Sequence, residues 1–412
     1  MRQRSFMKLG AALLVGSLAL TACGSRDDDD PGSTGNPTDA AKPEVTIGVI
    51  APLSGSLSAI GLGIQHSVDL AIKQANDSGD FPFTVKIQAE DDTATPDVGQ
   101  QAASTLASDD SVVGVVGPLN SSVAQTVAPV LNEAGITEIS PANTNPTLTM
   151  GQDWTTAPAR VWDTYFRTCA TDNAQGRYAA GFVYNDLKLT KVAIIHDKKT
   201  YGQGLTAVFQ EEFEKLGGTI TTLQTINPDE TDYSAVVTTV ANSAPQLVYY
   251  GGEYPQAGPL SSQMVAAGLT VPLMGGDGIY DPTYIQLAGA AADGDYATSV
   301  GAPTEELATA ADFVTAYNDA GYAEPYGAYG AYSYDSANAI LNALKDVDTT
   351  LTGADLRKAV LDAVQGISFD GVTGPVSFDD FGDTSNRTLT VYKVDGDAWA
   401  AVKTDAYDPP TS

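Results

Sequence analysis

Strand-like and helix-like segments alternate along this chain in two long series, and few folds accept that rhythm. In the first series, residues 45–50 form a β-branched run closed by Pro52, and Ile64, Val68, Ala71, Ile72 and Ala75 follow at helical spacing. Strand 85–88 precedes a helical set of Val98, Ala102 and Leu106; strand 112–116 precedes helix 121–134; strand 136–139 precedes a loop. The second series opens with strand 191–195, followed by the apolar stripe Leu205, Phe209, Phe213 and Leu216, which Gly217-Gly218 ends. Strands 219–224, 247–250 and 272–274 then alternate with helices 233–242 and 256–267. Such alternation requires a parallel sheet with helices on both faces. Two series predict an α/β protein of two doubly wound parallel-sheet lobes.

Composition narrows the function. A length of 412 residues suits two or three domains, and 43% hydrophobic with 17% charged residues excludes disorder over most of it. The 51 acidic against 21 basic residues give a formal charge of −30, which repels a phosphate backbone, so no nucleic-acid partner is expected. Cys23, Cys169, His66 and His196 are too scattered for a zinc motif, and neither metal nor cofactor is expected.

The N-terminus reads as an address. Arg2, Arg4 and Lys8 precede an apolar run over 9–20, too short to span a bilayer, and the run ends in Leu20-Thr21-Ala22-Cys23-Gly24. This resembles the bacterial lipoprotein signal, which implies a signal peptide over 1–22 and lipid on Cys23. Residues 23–43, rich in Gly, Pro, Ser and Asp, form a disordered tether. Cys169 is then the one remaining thiol, and a lone thiol without a Cys partner reads as a small buried hydrophobe.

Ligands of open α/β sheets sit beyond the carboxyl ends of the strands, which here are loops 52–61, 117–122, 141–146, 196–204, 251–255 and 275–281. None is a Walker A loop, Gly61-Leu62-Gly63 lacks the third glycine of a dinucleotide fingerprint, and no Gly-x-Ser-x-Gly elbow occurs. The chain is therefore not read as an enzyme. Four of these segments carry a resemblance: Gly117-Pro118-Leu119-Asn120-Ser121-Ser122, Ile139-Ser140-Pro141-Ala142-Asn143-Thr144-Asn145-Pro146, Ala193 through Gly204, and Val248-Tyr249-Tyr250-Gly251-Gly252-Glu253-Tyr254-Pro255. Over 45–399 the chain resembles the leucine/isoleucine/valine-binding proteins of ABC importers.

That resemblance implies a type I periplasmic-binding-protein fold whose two lobes are joined by three crossovers, near 167–172, 299–303 and 372–376. The N-terminal lobe would comprise 44–168 and 302–373, the C-terminal lobe 169–301 and 374–412. It also implies a monomeric, extracytoplasmic subunit, lipid-anchored to the cell membrane, that delivers an amino acid to ABC permease subunits.

A zwitterion needs donors for its carboxylate, an anion for its ammonium and, if aliphatic, an apolar wall. Ser121 begins a predicted helix, where free N–H groups favour a carboxylate, and it also suits a plain N-cap. The resemblance gives Ser121 to the ligand's carboxylate, Thr144 as a second hydroxyl contact and Ala142 as a backbone contact to the amino acid, Asp277 to its ammonium and Tyr201 to the closing lobe. Leu119 and Asn120 belong to the same loop as Ser121. Read alone, Ala142, Thr144 and Asp277 are turn residues. Departures from the family pattern are Glu253 in place of a ligand-contacting Tyr, Ile60 in place of an aromatic, and Asn120 in place of a disulfide cysteine. Two acids overcompensate one ammonium. Either Glu253 turns to solvent or a basic side chain, or the solute is an amide, urea or basic amino acid. A sensor of the same fold is the other reading.

Overall fold

The computed structural model describes residues 42–407; Cys23, the signal segment 1–22, all but the end of the tether, and residues 408–412 lie outside the described residues. A first sheet is built from β1 (Glu44–Ala51), β2 (Thr84–Asp91), β3 (Val112–Val116), β4 (Thr137–Ser140) and β5 (Tyr165–Arg167), all parallel, in the order β2-β1-β3-β4-β5. Every residue of β1 after Glu44 is buried, because helices cover both faces. Ile47 and Val49 point to one side, where they join α1 (Ser58–Asp77) and the later helices α11 (Gly330–Asp346) and α12 (Gly353–Gln365). Ile50 points to the other, against α2 (Pro96–Ala107) and α3 (Ser121–Glu133).

The second sheet has seven strands in the order β14-β13-β10-β9-β8-β6-β7. Its parallel part is β6 (Lys191–His196), β7 (Thr219–Thr225), β8 (Leu247–Gly251), β9 (Leu273–Gly275) and β10 (Tyr296–Ser299). Helices α4 (Thr147–Met150), α5 (Asp172–Gly181), α6 (Thr200–Lys215), α7 (Ser234–Asn242), α8 (Tyr254–Ala266), α9 (Pro282–Ala288) and α10 (Ala311–Ala320) fill the remaining connections. Two antiparallel strands extend this parallel sheet at one edge: β13 (Thr388–Asp395) runs antiparallel to β10, and β14 (Ala398–Ala406) antiparallel to β13. A short separate hairpin, β11 (Ser368–Gly371) and β12 (Gly374–Ser377), precedes them.

The chain passes between the sheets three times. It leaves the first after β5, returns after β10 to lay α11 and α12 on β3 and β4, and crosses again before β13. Among the described residues no helix is long and apolar enough to cross a membrane.

Candidate functional site

The loops after β1, β3 and β4 face those after β6, β8 and β9 across a narrow cavity. Its walls are Leu57, Ile60, Leu119, Asn120, Ser121 and Ala142 on one side, Tyr201, Glu253, Asp277 and Gly278 on the other, and Tyr329 just before α11. Eight of the nine residues expected to bind the ligand are thus brought together. Thr144 is fully buried behind them, where its carbonyl accepts from the Asp172 N–H at 2.8 Å. The cavity measures about 20 Å³, room for about one water. An amino acid enters only when the walls move apart.

At one end stands the start of α3. Asn120 is its N-cap, and the Asn120 carbonyl accepts from the N–H groups of Val123 and Ala124 at 3.0 Å. The N–H groups of Ser121 and Ser122 have no protein acceptor among the described residues, so two orphan donors and the positive end of a 13-residue helix point to one place. Gly117 makes the preceding turn: its φ is +125°, and a Cβ there would lie 2.0 Å from the Ile50 carbonyl oxygen.

The second wall of this end is the loop after β4, held from behind by Arg167. That guanidinium is wholly buried, donates to the carbonyls of Asn143 at 2.7 Å and Asn145 at 3.0 Å, and pairs with Asp383 at 2.6 Å. Asn143 in turn donates to the Leu119 carbonyl at 2.8 Å. The Ala142 N–H is satisfied by Ser140 Oγ at 3.2 Å.

Asp277 marks the other end. Its Oδ1 accepts from Tyr201 Oη at 2.7 Å and Gln175 Nε2 at 2.9 Å, and its Oδ2 from Tyr329 Oη at 2.7 Å. These donors are all neutral, and among the described residues no basic side chain forms an ion pair with it. Burial raises the proton affinity of the carboxyl, while the hydrogen bonds from Tyr329, Tyr201 and Gln175 oppose that rise. The flanking Gly276 is required by close approach, since a Cβ there would sit 2.4 Å from Tyr201 Oη. Nearby, burial drives the Asp172 carboxyl well above its usual range, and Asp277 adds to the effect.

Glu253 turns to a basic side chain. Its Oε2 accepts from Lys199 Nζ at 2.6 Å and its Oε1 from Asn120 Nδ2 at 2.7 Å. Burial acts to lower the Lys199 ammonium, but Glu253 and Asp197 outweigh it and raise its pKa. The excess acid that argued for a cationic solute is therefore compensated within the protein.

Residues outside this arrangement have structural roles. Cys169 is buried, lies 3.4 Å from the Asn143 carbonyl, and has its thiol pKa pushed up by burial. His196 Nδ1 accepts the Lys198 N–H at 3.1 Å, and His66 stacks on Tyr322 at 4.5 Å. Among the described residues no three His, Cys, Asp or Glu side chains are grouped to hold a metal. Sequence reasoning missed Gln175, Lys199, Leu57, Gly278 and Tyr329. Tyr329 carried no local signal, since it meets Asp277 only through a return of the chain 52 residues later.

Residues 44–398 match the family model for periplasmic binding proteins. The chain belongs to that family. This periplasmic binding protein is 33% identical over 352 residues to Leu/Ile/Val-binding protein homolog 1 of Brucella abortus (strain 2308), covering 85% of this chain and 90% of the relative. The branched-chain amino acid transporter substrate-binding protein LivJ of Streptococcus pneumoniae, solved with isoleucine, superposes with a TM-score of 0.77 at 27% identity, covering 89% and 100% of the two chains. A solute-binding protein of an R. palustris ABC transporter, solved with benzoate, shares the fold with a TM-score of 0.75 at 20% identity, covering 88% and 97%. The fold is the type I periplasmic-binding-protein fold: two α/β lobes joined by three crossovers.

Proposed function

We propose that this periplasmic binding protein is the lipid-anchored, extracytoplasmic solute-binding subunit of an ABC importer and takes a branched-chain amino acid. Among the described residues, 44–168 with 302–373 form one lobe and 169–301 with 374–407 the other, and they close on the ligand without chemistry. The observation that carries this reading is Asp277, a buried carboxylate with neutral donors on three sides, across a cavity from the unpartnered N–H groups at α3. An ammonium supplies the missing counter-charge, because a buried unpaired charge is costly. A carboxylate satisfies the helix end. Ser121 serves the carboxylate end with Ala142 lining the wall beside it, Tyr201 and Asp277 serve the ammonium, and Leu57, Ile60 and Leu119 supply apolar surface for an aliphatic side chain. Glu253, held by Lys199 and Asn120, needs no cationic solute.

The named relatives divide on this point. Isoleucine and benzoate, the ligands of the two solved proteins, share a carboxylate, and only isoleucine has an ammonium. Titration calorimetry with leucine, isoleucine and valine, beside 4-methylpentanoate, isopentylamine and benzoate, therefore tests the assignment. Leucine should bind and both half-molecules should fail; benzoate binding with no response to leucine would refute it. For the anchor, Cys23→Ser should move the protein from the membrane to the soluble fraction.

A further inference from the structure

A second cavity, of about 420 Å³, shares no lining residue with the first. Its floor is aromatic. The rings of Tyr280 and Tyr392 stack at 4.0 Å, Trp399 meets Tyr280 edge-on at 5.9 Å, and Tyr326 stands opposite, from the segment that leads into α11. Trp399 is fixed by its Nε1–H, which donates to the Asp281 carbonyl at 3.1 Å. The charged lining residues are Glu305 and Asp397, and no Lys, Arg or His lines the cavity. Glu305 accepts from Tyr326 Oη at 2.5 Å, which holds its carboxylate at the rim.

Aromatic rings beside carboxylates that form no ion pair among the described residues offer the negative potential that recognises an organic ammonium. A cavity of this volume is within the range of small-molecule sites. We propose that it is a binding site for an organic cation with an apolar body, separate from the cavity at Asp277. The site draws Tyr326 from the segment before α11, Tyr280, Tyr392 and Trp399 from around the second sheet, and Ser299 and Ala302 from the passage between them.

Phenethylamine, 2-phenylethanol and phenylacetate carry one ring with an ammonium, a hydroxyl or a carboxylate, and provide the test. Trp399 reports binding by fluorescence, and Trp399→Phe identifies its share of the signal. Phenethylamine should bind about fivefold or more tightly than the alcohol, and phenylacetate should not bind. The pair Glu305→Gln/Asp397→Asn should weaken the amine by a similar factor at an unchanged melting temperature, while Asp277→Asn should leave it in place. Equal binding of amine and alcohol, or indifference to the rim pair, overturns the proposal. Loss of amine binding in Asp277→Asn also overturns it, by placing the amine in the first cavity. Neither comparison depends on which solute that first cavity takes.

Discussion

Two buried carboxyls show how a residue's surroundings assign its work. Asp277 has three neutral donors and faces a cavity, and under the function proposed above its counter-charge is the ligand's ammonium. Asp277→Asn keeps the shape and removes the anion; leucine binding should weaken by about 2–5 kcal/mol in calorimetry, and an unchanged affinity would remove Asp277 from the site. Glu138, on β4, is wholly buried, with no hydrogen-bond partner for either carboxyl oxygen. Burial raises its pKa well above the ordinary value of 4.5. The native state then holds a proton that the unfolded chain releases above about pH 4.3, and stability contributed at low pH is lost as pH rises toward the folded pKa. Asp92 and Asp197, both raised to about 7 by burial, act with the same sign. Urea unfolding at pH 5 and pH 8 should therefore show the wild type losing stability toward pH 8. In Glu138→Gln that loss should shrink; parallel pH profiles would contradict this account.

At the scale of elements, β5 and the loop after β4 depend on a single internal cation. Arg167 is wholly buried, and its partner Asp383 comes from a segment 216 residues later. Asp383→Asn leaves the guanidinium uncompensated and should cost about 3–5 kcal/mol in urea unfolding. The apolar pair Arg167→Met/Asp383→Leu should cost less than Asp383→Asn alone, and the reverse order would mean the ion pair is not what anchors the loop. Nothing in the sequence announced this. A three-residue strand, Tyr165-Phe166-Arg167, has no period to read, and an arginine in it looks solvent-facing. Strands β1 and β3 were legible because residues such as Val112–Val116 are buried on both faces and therefore read as continuous apolar runs. Strand β14 was not, since it is an edge strand mostly open to solvent, with Lys403 and Asp405 among its residues. The candidate site was legible where it lay in glycine-bounded loops, and illegible for Tyr329 and Gln175, which enter from helix ends distant in sequence from Asp277.

The whole molecule stands with its lobes touching. Tyr254 Oη donates to the Ser56 carbonyl at 2.6 Å, Asn145 Nδ2 to the Thr200 carbonyl at 3.0 Å, and Asn120 Nδ2 to Glu253 Oε1 at 2.7 Å. With about 20 Å³ between them, the walls must separate before a solute enters. The strength of these contacts sets how often the walls stand apart, and apparent affinity and association rate scale with that open fraction. Of these contacts the Asn120–Glu253 bond has a charged acceptor, a class worth about 1.5–3 kcal/mol. Asn120→Ala should shift the balance toward the open form by roughly 10–100-fold, enlarging the unliganded radius of gyration in solution scattering. Stopped-flow mixing with leucine should then show faster association. If Asn120 instead held the ligand directly, the same substitution would leave unliganded scattering and association unchanged and speed dissociation alone. The two roles for one side chain are separated by which rate constant moves.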